Sequence, residues 1–198
     1  MAEVTVNLGD RSYPVQVVQR GFERLASQVS SLFGGTKVIV VTEDVVGPLW
    51  AEPVLVALRK VGRRVTLLTL PSGEKNKTMA TWSSCVDLLL EAEVDRHTPV
   101  LALGGGVLGD IVGFACATTL RGVPFVQVPT TLLAMADSSV GGKTAINHGR
   151  GKNLIGTFYQ PQLVYACLET LSTLPRRELS CGLAEMLKIG LIGNPELF

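Results

Sequence analysis

Val100-Leu101-Ala102-Leu103-Gly104-Gly105-Gly106-Val107-Leu108-Gly109-Asp110 is the stretch whose pattern decides the fold. Its first four residues are apolar without alternation, as in a strand covered on both faces, and a helix near Leu108–Thr119 follows the glycines. Gly104, Gly106 and Gly109 satisfy G-x-G-x-x-G in the strand–turn–helix setting of a dinucleotide fingerprint. Backbone without Cβ lets a pyrophosphate approach, and the unpaired N–H groups of a helix start attract its charge. One part of the fingerprint is missing. The next strand ends Val128-Pro129-Thr130-Thr131, with no acidic residue about 20 positions on to hold a ribose. Either the stretch is a tight turn only, or a ribose takes its carboxylate from another strand end. Glu43 and Asp44 follow one strand, and Glu74 follows the next.

Outward from this unit, short β-branched runs alternate with helical patterns. Val4–Val6 and Tyr13–Val17, with Gly9-Asp10 between them, predict a hairpin. Phe22–Phe33 has helical spacing and stops at Gly34-Gly35. The strand Val38–Thr42, a helix from Val46 to Val61, the strand Arg64–Leu70 and a helix at Thr78–Glu91 come before the glycine unit, and the strand Phe125–Val128 comes after it. This order predicts an α/β domain with a mostly parallel sheet and helices on both faces. From Thr130 to Pro161 the chain is rich in Gly, Ser, Thr and Asn, which predicts little regular structure and a functional loop region. Beyond Pro175, Arg176–Cys181 reads as a helical turn or more and Leu183–Ile192 as an apolar helix. The expected division is therefore a domain over 1–174 and, over 175–198, the start of a second, helical domain.

Composition narrows the function classes. Of 198 residues, 46% are hydrophobic and 18% charged, ample for a core and too little charge for disorder. Eighteen Lys and Arg against seventeen Asp and Glu leave a net charge of +1, which removes the broad basic field of a sequence-independent nucleic-acid binder. No apolar run reaches the ~20 residues of a membrane span, and the first residues lack a signal-peptide layout. Cys85, Cys116, Cys167 and Cys181 form no CxxC pair; they read as reduced core thiols of a cytoplasmic protein.

Four further segments carry chemistry. Pro71-Ser72-Gly73-Glu74-Lys75-Asn76-Lys77-Thr78 is a loop at a strand's C-terminal end, where α/β ligands collect, or else a solvated turn before a capped helix. Gly142-Lys143-Thr144 mimics the end of a phosphate-binding loop, but the full pattern needs glycine where Asp137 stands, and an acid there repels phosphate. What remains is a lysine in a polar loop, suited to one phosphate or carboxylate. Gly151-Lys152-Asn153 adds a second lysine and an amide; with Arg121 and Lys143, each beside a glycine, Lys152 points to an anionic ligand. In the apolar run Gly182–Gly190, Glu185 and Lys188 share a helix face, as a local ion pair or as a metal ligand beside a substrate contact. His97 and His148 complete no zinc spacing.

Taken in order, PSGEKNKT, GGGVLGD, FACATTLRG, QVPTTLLAMADSSVGGKTAINH, GKNLIGTFYQP and LPRRELSCGLAEMLKIG resemble 3-dehydroquinate synthase over residues 71–190. Other sugar-phosphate cyclases are close cousins, and glycerol and iron-dependent alcohol dehydrogenases are remote ones. The resemblance implies a Rossmann-like domain binding NAD, then a helical domain binding a divalent metal, zinc or cobalt. It implies a homodimer acting on a seven-carbon keto-sugar-acid phosphate. By motif, Asp44, Ser72, Gly73, Glu74, Lys77, Gly105, Gly106, Val107, Gly109, Asp110, Thr130, Thr131, Lys143, Lys152, Thr170, Thr173 and Glu178 are carried over as cofactor contacts. Asp137, Lys143, Asn153 and Lys188 are carried over to the substrate, with Lys143 and Asn153 on its phosphate. Arg121 resembles an arginine that reaches into a neighbouring subunit's site, and Glu185 a first metal ligand. Family members take their metal-binding histidines from a later helical domain. The implied alternatives are another cyclase or a non-catalytic NAD-binding module.

Overall fold

The computed structural model describes residues 1–194 and 196. Among these described residues nine strands and five α-helices follow one another as β1 (Ala2–Val6), β2 (Tyr13–Val18), α1 (Glu23–Leu32), β3 (Lys37–Glu43), α2 (Gly47–Lys60), β4 (Arg64–Leu70), α3 (Met79–Glu91), β5 (Val100–Gly104), α4 (Gly106–Thr118), β6 (Phe125–Pro129), β7 (Lys143–His148), β8 (Gly151–Phe158), β9 (Leu163–Cys167) and α5 (Arg176–Gly193). Seven strands form one sheet in the order β1-β2-β9-β6-β5-β3-β4, parallel except for the β1–β2 hairpin. This is the Rossmann-like, mostly parallel α/β architecture that the alternating pattern predicts.

Strand alternation builds two cores. Val38, Val40, Leu101 and Leu103 face α1 and α2, packing with Leu25, Val29, Val54 and Leu58. Ile39, Val41, Val100 and Ala102 face α3 and α4, packing with Cys85, Leu89, Ile111 and Val112. Because both faces are covered, the central strands are apolar throughout. One buried charge has a structural explanation: Arg63 donates to the carbonyls of Val29, Phe33, Gly34 and Gly35, satisfying acceptors left where α1 ends.

Three expectations need correction. The segment 130–161 carries regular structure, the antiparallel β7–β8 hairpin, which packs on α4 through Ile146. Most of β8 is exposed, so it has no apolar alternation to announce a strand. The two helical patterns after Pro175 are one continuous helix; Gly182 sits at its middle because a Cβ there would meet Leu132 Cβ at 2.5 Å. Cys181 is exposed on that helix, unlike the buried Cys85, Cys116 and Cys167. Strand β9, missed by pattern, is wholly buried between β2 and β6.

The sheet's winding positions the site. Helix α2 leaves β3 toward β4, whereas α4 leaves β5 toward β6, on the opposite side. Where the direction of winding reverses, connections part and a crevice opens at the carboxyl ends of β3 and β5.

Candidate functional site

At the floor of that crevice Gly105 caps α4, which begins at Gly106. A Cβ on Gly106 would lie 2.5 Å from Ser138 Oγ, and one on Gly109 2.7 Å from Gln127 Oε1. Glycine at 106 therefore keeps the mouth of the turn open, while glycine at 109 lets α4 close onto β6. No side chain among the described residues caps the start of α4, so its first N–H groups point at the crevice with their partial positive charge.

A cavity of about 640 Å³ fills the crevice. Thirteen of the predicted cofactor contacts line it: Ser72, Gly73, Glu74 and Lys77 after β4; Gly105, Gly106, Val107 and Asp110 at α4; Thr130 and Thr131 after β6; Thr170, Thr173 and Glu178 near the start of α5. Pattern reasoning missed the apolar wall, Val45, Val46, Leu49 and Trp50, at the start of α2. In sequence it shows only as apolar residues just past a strand end; the structure leaves Val45 and Leu49 61% and 48% exposed there. The Trp50 indole N–H donates to Thr173 Oγ1 at 2.8 Å, tying this wall to the segment after β9. Glu43 also lines the cavity, and the Gly105 N–H donates to its Oε1 at 3.4 Å across the crevice. Burial raises the Glu43 carboxyl above its usual range, against the Gly105 hydrogen bond and with help from Asp44. Asp44 turns away and accepts from the Ser72 N–H at 3.0 Å, which makes it a clasp between the β3 and β4 loops.

A polar network joins the crevice to the β7–β8 hairpin. The buried Lys77 ammonium lies 2.5 Å from Asp110 Oδ2 and 2.5 Å from Asn153 Oδ1. Burial raises the Asp110 carboxyl despite this cation, with Glu74 adding to the rise. Glu74 accepts from Asn147 Nδ2 at 2.8 Å and pairs with Lys152 at 3.3 Å. Partial burial pushes its carboxyl up, but those two donors outweigh it and hold Glu74 below the usual range. A second cavity, about 350 Å³, opens on the hairpin and shares Asp110 and Asn153 with the first; Lys143 lines it. Lysine and amide thus converge on one space, a pairing suited to an anion.

Other predicted residues lie elsewhere. Gly109 is buried behind the turn rather than lining the cavity, and Arg121 lies exposed in a left-handed turn, φ 65°, lining neither cavity. Asp137, Glu185 and Lys188 also line neither. Glu185 is bound to Lys188 one turn along α5, and this hydrogen bond raises the Lys188 ammonium, with a smaller pull from Asp137. Among the described residues no group of three His, Cys, Asp or Glu is gathered as metal ligands would be.

A family profile described as "3-dehydroquinate synthase N-terminal" matches residues 67–181, which include the crevice loops after β4, β5, β6 and β9 and the whole hairpin, but not the wall after β3. The chain belongs to this family. It is 48% identical over 198 residues to the 3-dehydroquinate synthase of Desulforamulus reducens, covering 100% of this chain and 55% of that protein. It is 51% identical over 191 residues to that of Pelobacter propionicus, covering 96% of this chain and 53% of that protein. The chain therefore spans about half the length of the curated relatives it matches. Among solved structures, 2-deoxy-scyllo-inosose synthase complexed with carbaglucose-6-phosphate, NAD+ and Co2+ superposes with a TM-score of 0.88 at 29% identity, over 96% of this chain and 52% of that one. The 2-epi-5-epi-valiolone synthase of Streptomyces hygroscopicus, with NAD+ and Zn2+ bound, gives 0.86 at 34%, over 96% and 52%. Glycerol dehydrogenase of Schizosaccharomyces pombe, at 18% identity and a TM-score of 0.71 over 89% of this chain and 42% of that one, shares the fold.

Proposed function

We propose that this chain is the NAD-binding portion of a 3-dehydroquinate synthase, a phosphate-eliminating cyclase of the cytoplasmic shikimate pathway that acts as a homodimer. Residues 1–174 form the NAD domain and 175–198 the start of a helical domain, against which Leu183, Leu187 and Leu191, exposed four residues apart on α5, are set. The observation that carries this reading is the gathering of the glycine turn, Glu74, Thr130 and Thr131 into one cavity at the sheet's reversal point in a chain of this family. Identities of 48% and 51% to 3-dehydroquinate synthases, against 29% and 34% to the other cyclases, favour this substrate class.

The donor set fits NAD. The cradle at Gly105 and Gly106 is one a Cβ would fill, the α4 start accepts a pyrophosphate, and Glu74 supplies the ribose carboxylate missing from the glycine strand. When bound, NAD supplies a reversible hydride acceptor, which oxidises a substrate hydroxyl and so acidifies the adjoining C–H. Lys77 neutralises Asp110 beneath the site, so that two carboxylates, Asp110 and Glu74, coexist there. Lys143 and Asn153 hold the substrate phosphate, and Asp137 and Lys188 approach the rest of the substrate from the turn and α5. The described residues do not fit a catalytic metal: Glu185 alone is one ligand where about three are needed. The remaining ligands belong to a longer protein, with Arg121 serving a neighbouring subunit.

Calorimetric titration with NAD tests the reading. The chain takes up one equivalent, and Glu74→Ala weakens binding by roughly tenfold, the loss of one charge-assisted hydrogen bond. Affinity untouched by that substitution removes Glu74 as ribose anchor, and steady 3-dehydroquinate formation by the 198-residue chain contradicts its role as a portion only.

A further inference from the structure

Three hydrogen bonds of Asn147 end on site residues. It sits at an irregularity of the β7–β8 ladder, where the register shifts between Ile146 and His148. Such a bulge frees the residue from cross-strand pairing and re-aims it. Its N–H donates to the Lys77 carbonyl at 2.9 Å, and its Nδ2 donates to Glu74 Oε1 at 2.8 Å. Its Oδ1 accepts from the Asn153 N–H at 2.9 Å.

The last bond holds a strained residue. Asn153 has φ +55°, a left-handed conformation that non-glycine residues seldom adopt without support. Its side chain is fixed as well. A lysine ammonium only donates, so the atom 2.5 Å from Lys77 Nζ is the amide oxygen. Asn153 is left with its NH2 group as the free donor, in a residue that lines both cavities.

We infer that Asn147 is a positioning residue that sets the ribose-side carboxylate Glu74 and the anion-side amide Asn153 from a single point. The inference rests on the NAD reading above and adds a residue to it. An amide suits the position, because it offers a donor to a carboxylate and an acceptor to a backbone N–H from one short planar group. Alanine removes both bonds. Aspartate keeps the acceptor for Asn153 and sets a second carboxylate against Glu74.

The test titrates the unaltered chain, N147A and N147D with NAD, and measures hydrogen exchange at the Asn153 backbone amide in each. N147A loses affinity by roughly tenfold, as for one hydrogen bond to a charged group, and loses Asn153 protection. N147D loses NAD affinity at least as far but keeps Asn153 protected. A purely structural role would lower protection alike in both variants, and that result overturns the inference. NAD affinities equal to that of the unaltered chain overturn it too. If N147A fails to fold, N147D decides alone, since weakened NAD with Asn153 still protected supports the inference and any other combination refutes it. Absence of NAD binding by the unaltered chain is a separate outcome, which brings down the underlying reading and this inference with it.

Discussion

Lys77–Asp110 and Lys188–Glu185 are both lysine–carboxylate pairs in one chain with the carboxylate 16% exposed in each, and they differ in the burial of the lysine and in what the pair connects. The first joins residues far apart in sequence, with side chains 5% and 16% exposed, and adds Asn153 as a third partner. The second lies within one helix, three residues apart, with Lys188 56% exposed. A pair that bridges the loop after β4, helix α4 and the hairpin fixes where three segments meet. A pair closed within one helix positions nothing beyond that helix. The crevice is accordingly assembled by this chain's own contacts, whereas α5 presents a carboxylate paired only within its own helix and a stripe of exposed leucines.

Breaking each pair shows the contrast most strongly. Lys77→Met leaves Asp110 buried without its cation and lowers stability by about 3 kcal/mol, read from the denaturant midpoint. A change within experimental error would mean that the network does not hold the crevice together. Next in size is Gly106→Ala, which sets a methyl group against Ser138 Oγ and weakens NAD binding by roughly tenfold or more in a titration, at nearly unchanged helix content.

Glu43→Gln sharpens the comparison from the side of pH. Burial raises the Glu43 carboxyl, so the folded chain carries an unfavourable buried charge above that raised value, and the cost disappears as pH falls through it and the group protonates. The substitution therefore raises the thermal midpoint by a few degrees at neutral pH, and the gain shrinks on acidification. A gain that grows toward low pH would reverse the assignment. The smallest effect is expected on α5: Glu185→Gln leaves both the thermal midpoint and the uptake of zinc by this chain unchanged. Stoichiometric zinc binding abolished by that substitution would show a metal site that the described residues do not gather.

The parts of this account legible in sequence are those where one local pattern dictates one geometry. Arg64–Leu70 was delimited to the residue, and Thr78 caps α3 as its hydroxyl promised, because period and capping are local signals. The glycine turn was equally plain. The β7–β8 hairpin was not, since β8 leaves Leu154 and Phe158 60% and 74% exposed and rests only its inner edge on the protein. Two adjacent acids at a strand end look alike in sequence; backbone direction sends Glu43 into the crevice and leaves Asp44 accepting from the Ser72 N–H at its edge. Asn147 carries no signal in sequence, as its importance arises from a ladder irregularity and from two distant partners, Glu74 and Lys77, on the loop after β4.

In the proposed reading the glycine turn receives the dinucleotide together with Glu178 from the first turn of α5, and the Glu185–Lys188 stretch of that helix does not. Amide chemical-shift mapping of the chain during NAD titration tests it most directly. Saturable shifts are expected to concentrate at Gly105, Gly106, Val107, Thr130 and Thr131, with Glu185 and Lys188 unmoved; shifts centred on Glu185 and Lys188, or none at saturating NAD, would exclude a dinucleotide at the glycine turn.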